Sequence, residues 1–391
     1  MLSFDNTETA FRGHSNSELR KALWMYRLIS SQRFVQFCKP LAKPLLQIGG
    51  PFKWLVKTTF FQHFCGGESI ANCDDTVAFL AKYKVHSILD FSVEGKDQEA
   101  DFERTTGEIL QTQERAGMDL NIPFNVFKIT GIARFQLLEK VSAGEQLSVV
   151  EQDEFERVKN RVERIFKKAV EVNKSVMIDA EETWIQPAID ALCLDGMRKY
   201  NRERPQVFNT IQLYRADGLK MLQQLTEKAK AEGFYVGVKL VRGAYMEKER
   251  ERAAAMGLQD PIQPDYASTN QNFDAALRHV IEHIDSTAVC AGTHNENSAL
   301  LLTRLMQEKN LPKNHPHIWF SQLLGMSEHI SFNLAEAGYN VAKYVPYGPV
   351  QDVLPYLIRR AEENTSVAGQ TGRELSLITK EIERRKAAAK R

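Results

Sequence analysis

Two sets of residues have the types and spacing to do chemistry. The first is the stripe Tyr356, Arg359, Arg360 and Glu363 in the run YLIRRAEEN, whose i, i+3, i+4, i+7 spacing shares one face of a helix. Adjacent guanidinium forks suit bidentate capture of a carboxylate, which the point charge of lysine does less specifically. Most helical arginine pairs are solvated, so the stripe gains weight from its aromatic member and from its neighbours. The second set is a row of unlike polar residues, each near the C-terminal end of a short apolar run. Asp90 and Glu94 follow the first run, Lys128 closes the second and Asp179 the third. Gln212 is late in the fourth, Lys239 and Arg242 in the fifth, and Thr293-His294-Asn295 follow the sixth. Gln322 ends the seventh and Tyr344 the eighth.

The elements that must position these residues read as alternating strands and helices. β-rich runs occur at 87–91, 124–129, 176–178, 207–213, 235–241, 288–291, 318–323 and 341–345, separated by charged, helix-prone stretches such as 154–172 and 218–231. Eight apolar strands joined by helices predict a parallel closed sheet, a (βα)8 TIM-type barrel in the α/β class; an open doubly wound sheet fits the same pattern. Barrel enzymes assemble their sites from several strand C-termini at once, so the polar row reads as one mouth. Each member also has a structural reading: Lys128 snorkelling, Gln212 or His294 satisfying loop backbone.

The first 85 residues read as a helical arm. Leu19, Ala22, Leu23, Tyr26 and Leu28 form an apolar face, Phe34, Val35 and Leu41 follow, and Gly49-Gly50-Pro51 breaks the run. Asp74-Asp75 opens a further helix, acids at its positive end. The barrel then spans 86–375, and 376–391, ending EIERRKAAAKR, reads as a solvated helical tail.

Composition narrows the function classes. The 391 residues are 43% hydrophobic and 26% charged, with a formal net charge of +1, which gives no pull toward nucleic acid. Cys38, Cys65, Cys73, Cys193 and Cys290 show no CxxC pair or zinc-like spacing and read as free thiols; no metal is expected. The start MLSFDNTETAF carries an acid and no long apolar run, unlike a secretory or transit peptide, and no run is long enough for a transmembrane helix. A cytoplasmic protein is expected. Neither GxGxxG nor GxxxxGK[ST] occurs, so residue spacing alone announces no cofactor.

The runs LDFSVEG (89–95), VMIDAEE (176–182), KLVRGAYMEKER (239–250), THN (293–295), QLLGM (322–326) and YVPYGPVQDVLPYLIRRAEEN (344–364) resemble the proline dehydrogenase family, in its monofunctional, mitochondrial-type branch. The resemblance spans about residues 69–364. It implies a distorted barrel holding FAD non-covalently, oxidation of L-proline to 1-pyrroline-5-carboxylate in proline catabolism to glutamate, and electrons passed to a membrane quinone. Without the aldehyde dehydrogenase domain of the bifunctional relatives, the product goes to a separate pyrroline-5-carboxylate dehydrogenase. The location would be peripheral on an inner membrane, mitochondrial if a presequence has been lost. Residues 19–45 and the C-terminal helix are the candidate membrane-docking pieces.

Carried over residue by residue, Arg359 and Arg360 pair with the proline carboxylate, assisted by Lys128. Leu324, Tyr344 and Tyr356 enclose the ring. Asp179 and Lys239 lie at the reactive end, with Asp179 holding Tyr344 or the pocket's geometry, and Glu94 pairs with an arginine to gate access. Flavin contacts come from Ala180, Gln212, Val241, Arg242, Gly243, Ala244, Thr293, His294, Asn295 and Gln322. At Gly243 a Cβ would collide with a closely approaching cofactor. Two features depart from the pattern: the bifunctional relatives carry arginine at Lys239, and the Gln322–Gly325 spacing is one residue shorter than in some relatives. Hydroxyproline dehydrogenases carry serine where this chain has Tyr344, and a tyrosine there crowds a ring hydroxyl, so proline is favoured over hydroxyproline. A Schiff-base aldolase using Lys128 or Lys239, and a silent scaffold, are the other readings.

Overall fold

The computed structural model describes residues 2–29, 54, 56–92, 97–366 and 370–390, with the side chains of 361–371 set aside. Eight strands close a barrel in chain order: β1 His86–Phe91, β2 Phe124–Phe127, β3 Ser175–Ile178, β4 Val207–Gln212, β5 Val236–Val241, β6 Thr287–Gly292, β7 Ile318–Leu323 and β8 Val341–Tyr347. The open-sheet alternative is thereby excluded. The pairings are parallel, for example His86 opposite Ala342 through Phe91 opposite Tyr347. Such strands are covered on both faces, which is why they read as continuous apolar runs rather than alternating ones. Two ends differ from expectation by two residues, the others by one at most. β2 stops at Phe127 because Lys128 leads into a 3-10 turn, Ile129–Gly131, and β8 runs on to Tyr347, leaving Tyr344 in mid-strand.

The chain divides into two compact units, Gly95–Ser321 and a second made of Met1–Glu94 with Gln322–Arg391. In the first unit, Phe124 meets Phe208 edge-on at 5.5 Å and Trp319 at 5.2 Å. Gly237 makes room for this cluster, since a Cβ there would stand 2.8 Å from the Phe208 ring. The long helix Val149–Glu171 starts with a capping box, Ser148 and Glu151 each bonding the other's backbone N–H.

In the second unit, helix Asn16–Ile29 buries Leu19, Met25 and Tyr26 against Phe61, Phe64, Leu377 and Ile378. Phe34, Val35, Leu41 and the Gly49-Gly50-Pro51 break lie outside the described residues. The tail is not the solvated piece expected: helix Gln370–Ala388 buries Leu377 and Ile378. Arg385 also donates to the carbonyls of Phe11 and His14. Its other side is solvated, with Ser376, Lys380, Glu383 and Arg384 exposed along it and 386–390 exposed at its end. The four described cysteines, Cys65, Cys73, Cys193 and Cys290, are free and buried.

A fully buried Lys343 on β8 anchors this unit. Its ammonium has three N–H groups and three acceptors: Glu328 Oε1 at 3.0 Å, the Met326 carbonyl at 2.5 Å and the Leu323 carbonyl at 3.3 Å. Burial raises the Glu328 carboxyl, but the Lys343 charge and His14 outweigh it and hold it at about 2. Lys343→Met strands a buried carboxylate and two carbonyls, and should lower unfolding free energy by about 3–5 kcal/mol in urea titrations. Because the folded value lies below the ordinary 4.5, the stability from Glu328 is complete above pH 4.5 and drains as pH falls toward about 2. The unfolding free energy of the wild type minus that of Glu328→Gln should fall as pH drops across that window, while the slope common to the other carboxylates cancels.

Candidate functional site

The ends of β2 to β6 belong to one unit, and their polar residues form two groups. In the first, Asp179 follows β3 and Lys239 lies in β5, one strand beyond β4. Their side chains pair at 2.5 Å, with 16% and 7% of their surface exposed. Asp179 N–H donates to the Phe127 carbonyl, which fixes its backbone. Asp179, expected to hold Tyr344 or the pocket's geometry, is thus paired with Lys239, the other residue expected at the reactive end. Ala180 is buried beside Asp179.

Glu181 carries weight that the sequence did not reveal. It accepts from the Thr130 N–H at 3.0 Å and from the Thr130 hydroxyl, and so clamps the turn that begins with Lys128. Its own N–H donates to Gln186 Oε1 at 2.8 Å, and its carbonyl accepts from Gln212 Nε2 at 2.8 Å. Gln212, expected to touch a flavin, thus spends its amide nitrogen on this network. Burial pushes the Glu181 carboxyl up to about 7, against the nearby Lys128 charge and the Thr130 bonds. Lys128 itself is half-buried.

The second group gathers on Arg242. Its guanidinium donates to Asn270 Oδ1 at 2.7 Å, Thr293 Oγ1 at 2.7 Å and Ser298 Oγ at 3.0 Å, and stacks over Phe273 at 4.5 Å. Burial lowers its pKa from the ordinary value, opposed by Tyr266 and Asp274. Only three of the guanidinium N–H groups are used by these bonds, and the backbone of Gly243 and Ala244 next to it is exposed. A positive group with donors to spare beside open backbone fits the phosphates of a dinucleotide cofactor. Val241 and His294 are half-buried nearby in sequence.

Two assigned residues have structural duties. Asn295 caps helix Glu296–Glu308, its side chain accepting from the Ser298 N–H at 3.1 Å. Gly243 has φ +143°, and a Cβ there would stand 2.4 Å from the Tyr214 ring. The protein's own tyrosine therefore already demands glycine at this position, whatever lies beyond.

In the other unit, the last residues of β7 with the turn after it, β8 and the helix Leu354–Ser366 supply the remaining residues. Gln322 is buried and its Oε1 accepts from Ser331 at 2.8 Å. Leu324 follows β7, and its N–H donates to the Tyr344 carbonyl at 2.9 Å, so these two expected walls are joined through backbone. Tyr344 is 6% exposed and Tyr356 equally buried. The guanidinium of Arg360 lies over the Tyr356 ring at 4.9 Å with the residue only 7% exposed, while Arg359 is half-buried. The i, i+4 spacing therefore does stack the pair, and Arg360 points away from solvent. Glu94 and the Glu363 side chain lie outside the described residues.

With this geometry in place, comparison with known proteins is informative. Residues 73–373 match the family model described as proline dehydrogenase. The human mitochondrial proline dehydrogenase 1 is 44% identical over 252 residues, covering 64% of this chain and 41% of the human one. Hydroxyproline dehydrogenase of Xenopus laevis is 30% identical over 96% of this chain and 88% of its own. Proline utilization A of Bdellovibrio bacteriovorus shares the fold, with TM-score 0.76, 19% identity, and coverage of 94% of this chain and 42% of that one. The chain thus spans under half the length of the human relative and of that solved structure.

Glu181 yields a pH test of the network around Lys128. Its folded value of about 7 lies above the ordinary 4.5, so its ionisation costs nothing below pH 4.5 and increasingly destabilises the fold as pH rises through about 7. Unfolding free energy of Glu181→Gln minus that of the wild type should therefore climb between those values, by on the order of 3 kcal/mol. A flat difference would place the carboxyl at its ordinary value.

Proposed function

The chain belongs to the proline dehydrogenase family, and on that premise we propose that it oxidises L-proline to 1-pyrroline-5-carboxylate with FAD and passes the electrons to a quinone. The observation that carries this reading is Arg360. A guanidinium is rarely buried without a task, and this one is 7% exposed, lies over Tyr356, and has a second arginine beside it on the same helix.

Arg359 and Arg360 bind the substrate carboxylate, with Lys128 as the further cation. Leu324, Tyr344 and Tyr356 wall the ring. The arginine charges disfavour a cationic amine nearby, so proline is held with its nitrogen neutral and its lone pair assists loss of hydride from C5. Ala180, Gln212, Val241, Arg242, Gly243, Ala244, Thr293, His294, Asn295 and Gln322 would hold FAD, with Arg242 toward the phosphates. Bound FAD supplies the hydride acceptor. Lys239 and Asp179 fix a positive charge and its counter-charge at the reactive end. The product passes to a separate pyrroline-5-carboxylate dehydrogenase. Quinone use puts the enzyme at a membrane surface, mitochondrial in the manner of its relatives' names; among the described residues no helix is long and apolar enough to cross a membrane.

Hydroxyproline is the second substrate reading, favoured by the likeness to the Xenopus enzyme. Against it stands Tyr344, buried in mid-strand, where the bulk of a tyrosine disfavours a ring hydroxyl more than a serine would. Family membership leaves the aldolase and scaffold readings without support.

Arg359→Met and Arg360→Met should each raise the proline KM at least tenfold, as expected for the loss of a charged bidentate partner. Flavin bound per chain, read from visible absorbance, should stay unchanged. An unaltered KM in both variants would overturn the carboxylate assignment.

A further inference from the structure

The turn that carries Leu324, residues 323–327, is held at nearly every backbone polar group, and by side chains from remote parts of the chain. The Gly325 carbonyl accepts from Tyr26 Oη at 2.5 Å and lies 2.9 Å from His63 Nε2. A carbonyl only accepts, so Nε2 carries the proton. The Leu323 and Met326 carbonyls accept from Lys343, and the Ser327 N–H donates to Glu374 Oε1 at 2.5 Å. Two residues stand at positive φ, Gly325 at +75° and Ser327 at +52°. For serine this is an unfavoured backbone that persists only where the surroundings over-determine it. At Gly325 a Cβ would stand 2.3 Å from the His63 carbonyl, so the arm is closed down on the turn without room for a side chain. Tyr26 is 2% exposed, and its ring meets His63 edge-on at 5.6 Å.

We infer that Tyr26 and His63, in the N-terminal arm, are positioning residues for ring recognition, holding Gly325 and through it Leu324 and the Tyr344 backbone. The inference rests on the reading above that Leu324 and Tyr344 wall the proline ring. The arm outside the family match, which begins at residue 73, thereby acquires a part in specificity. The mechanical path is short. Leu324 is bonded to Tyr344 through N–H to carbonyl at 2.9 Å, and the next peptide carbonyl is the one Tyr26 and His63 grip. If that grip loosens, the leucine wall moves and the Tyr344 strand loses one of its restraints.

The test is Tyr26→Phe, which deletes only a hydroxyl, and the double variant Tyr26→Phe with His63→Leu. Met25→Leu, a change of similar volume on the same buried helix, is the control. Two readouts are taken on the full chain: steady-state kinetics with L-proline, and hydrogen exchange of the peptide covering 322–328. The double variant should raise the proline KM about tenfold, keep kcat within about twofold and leave flavin per chain unchanged. Exchange in 322–328 should quicken about tenfold. Tyr26→Phe alone should move both in the same direction by about threefold, and Met25→Leu should move neither. If the double variant does not fold, Tyr26→Phe decides on the same two measures. Faster exchange with unchanged KM would overturn the link to ring recognition, and unchanged exchange would overturn the positioning itself. An equal effect from Met25→Leu would reduce both residues to general support. Wild-type protein that proline does not reduce would sink the functional reading instead, while the exchange readout would still judge the grip.

Discussion

A charge inside a closed parallel sheet survives only if it is paired and hydrogen-bonded, and two lysines in this barrel meet that demand in different ways. Lys343 spends its three donors on one carboxylate and two carbonyls of a single turn. Lys239 reaches past β4 to Asp179 at the end of β3. Both strands are otherwise apolar and buried, so each lysine fixes the backbone around it rather than floating in a polar pocket. The geometry at the strand ends follows from these two solutions. One brings a cation to the end of β5, and the other ties the turn after β7 to β8.

Successive residues of β8 divide the labour. Lys343 faces Glu328 and the turn carbonyls, so Tyr344, its neighbour, faces the other side of the sheet. The same short strand therefore holds the scaffold on one face and offers a phenol on the other. Arg242 shows a comparable economy. Asn270, Thr293 and Ser298 set its orientation, and the next residues in the chain, Gly243 and Ala244, are exposed. On the helix Leu354–Ser366, stacking on Tyr356 orients Arg360 before any ligand arrives, which reduces the ordering cost of binding a carboxylate.

Much of this was legible in the amino-acid sequence because it depends on local pattern. A doubly covered strand must be apolar throughout, so the eight runs stood out within a residue or two of their true ends. The two largest differences are instructive: β2 ends early because Lys128 starts a tight turn, and β8 runs on through Pro346 to Tyr347. The Tyr356–Arg360 pair followed from helical spacing alone. What could not be read were long-range polar partners. Nothing about Tyr26 or His63 announces a bond to Gly325, some 299 and 262 residues away. Glu181 looked like one acid in an acidic run, and only burial against Thr130 sets it apart. Gly243 was flagged correctly as a glycine by necessity, but its constraint comes from Tyr214. The tail was misjudged because its charged end masks Leu377 and Ile378, which the arm covers.

The proposed function depends on an amino-acid carboxylate clasped by buried Arg360 and half-buried Arg359 beside a reducible cofactor. Anaerobic titration of the purified holoprotein, following visible flavin absorbance, tests this most directly. L-proline should bleach the flavin band fully and saturably, and trans-4-hydroxy-L-proline should do so only at far higher concentration. A protein without flavin absorbance, or one whose flavin stays oxidised in excess proline, would contradict it.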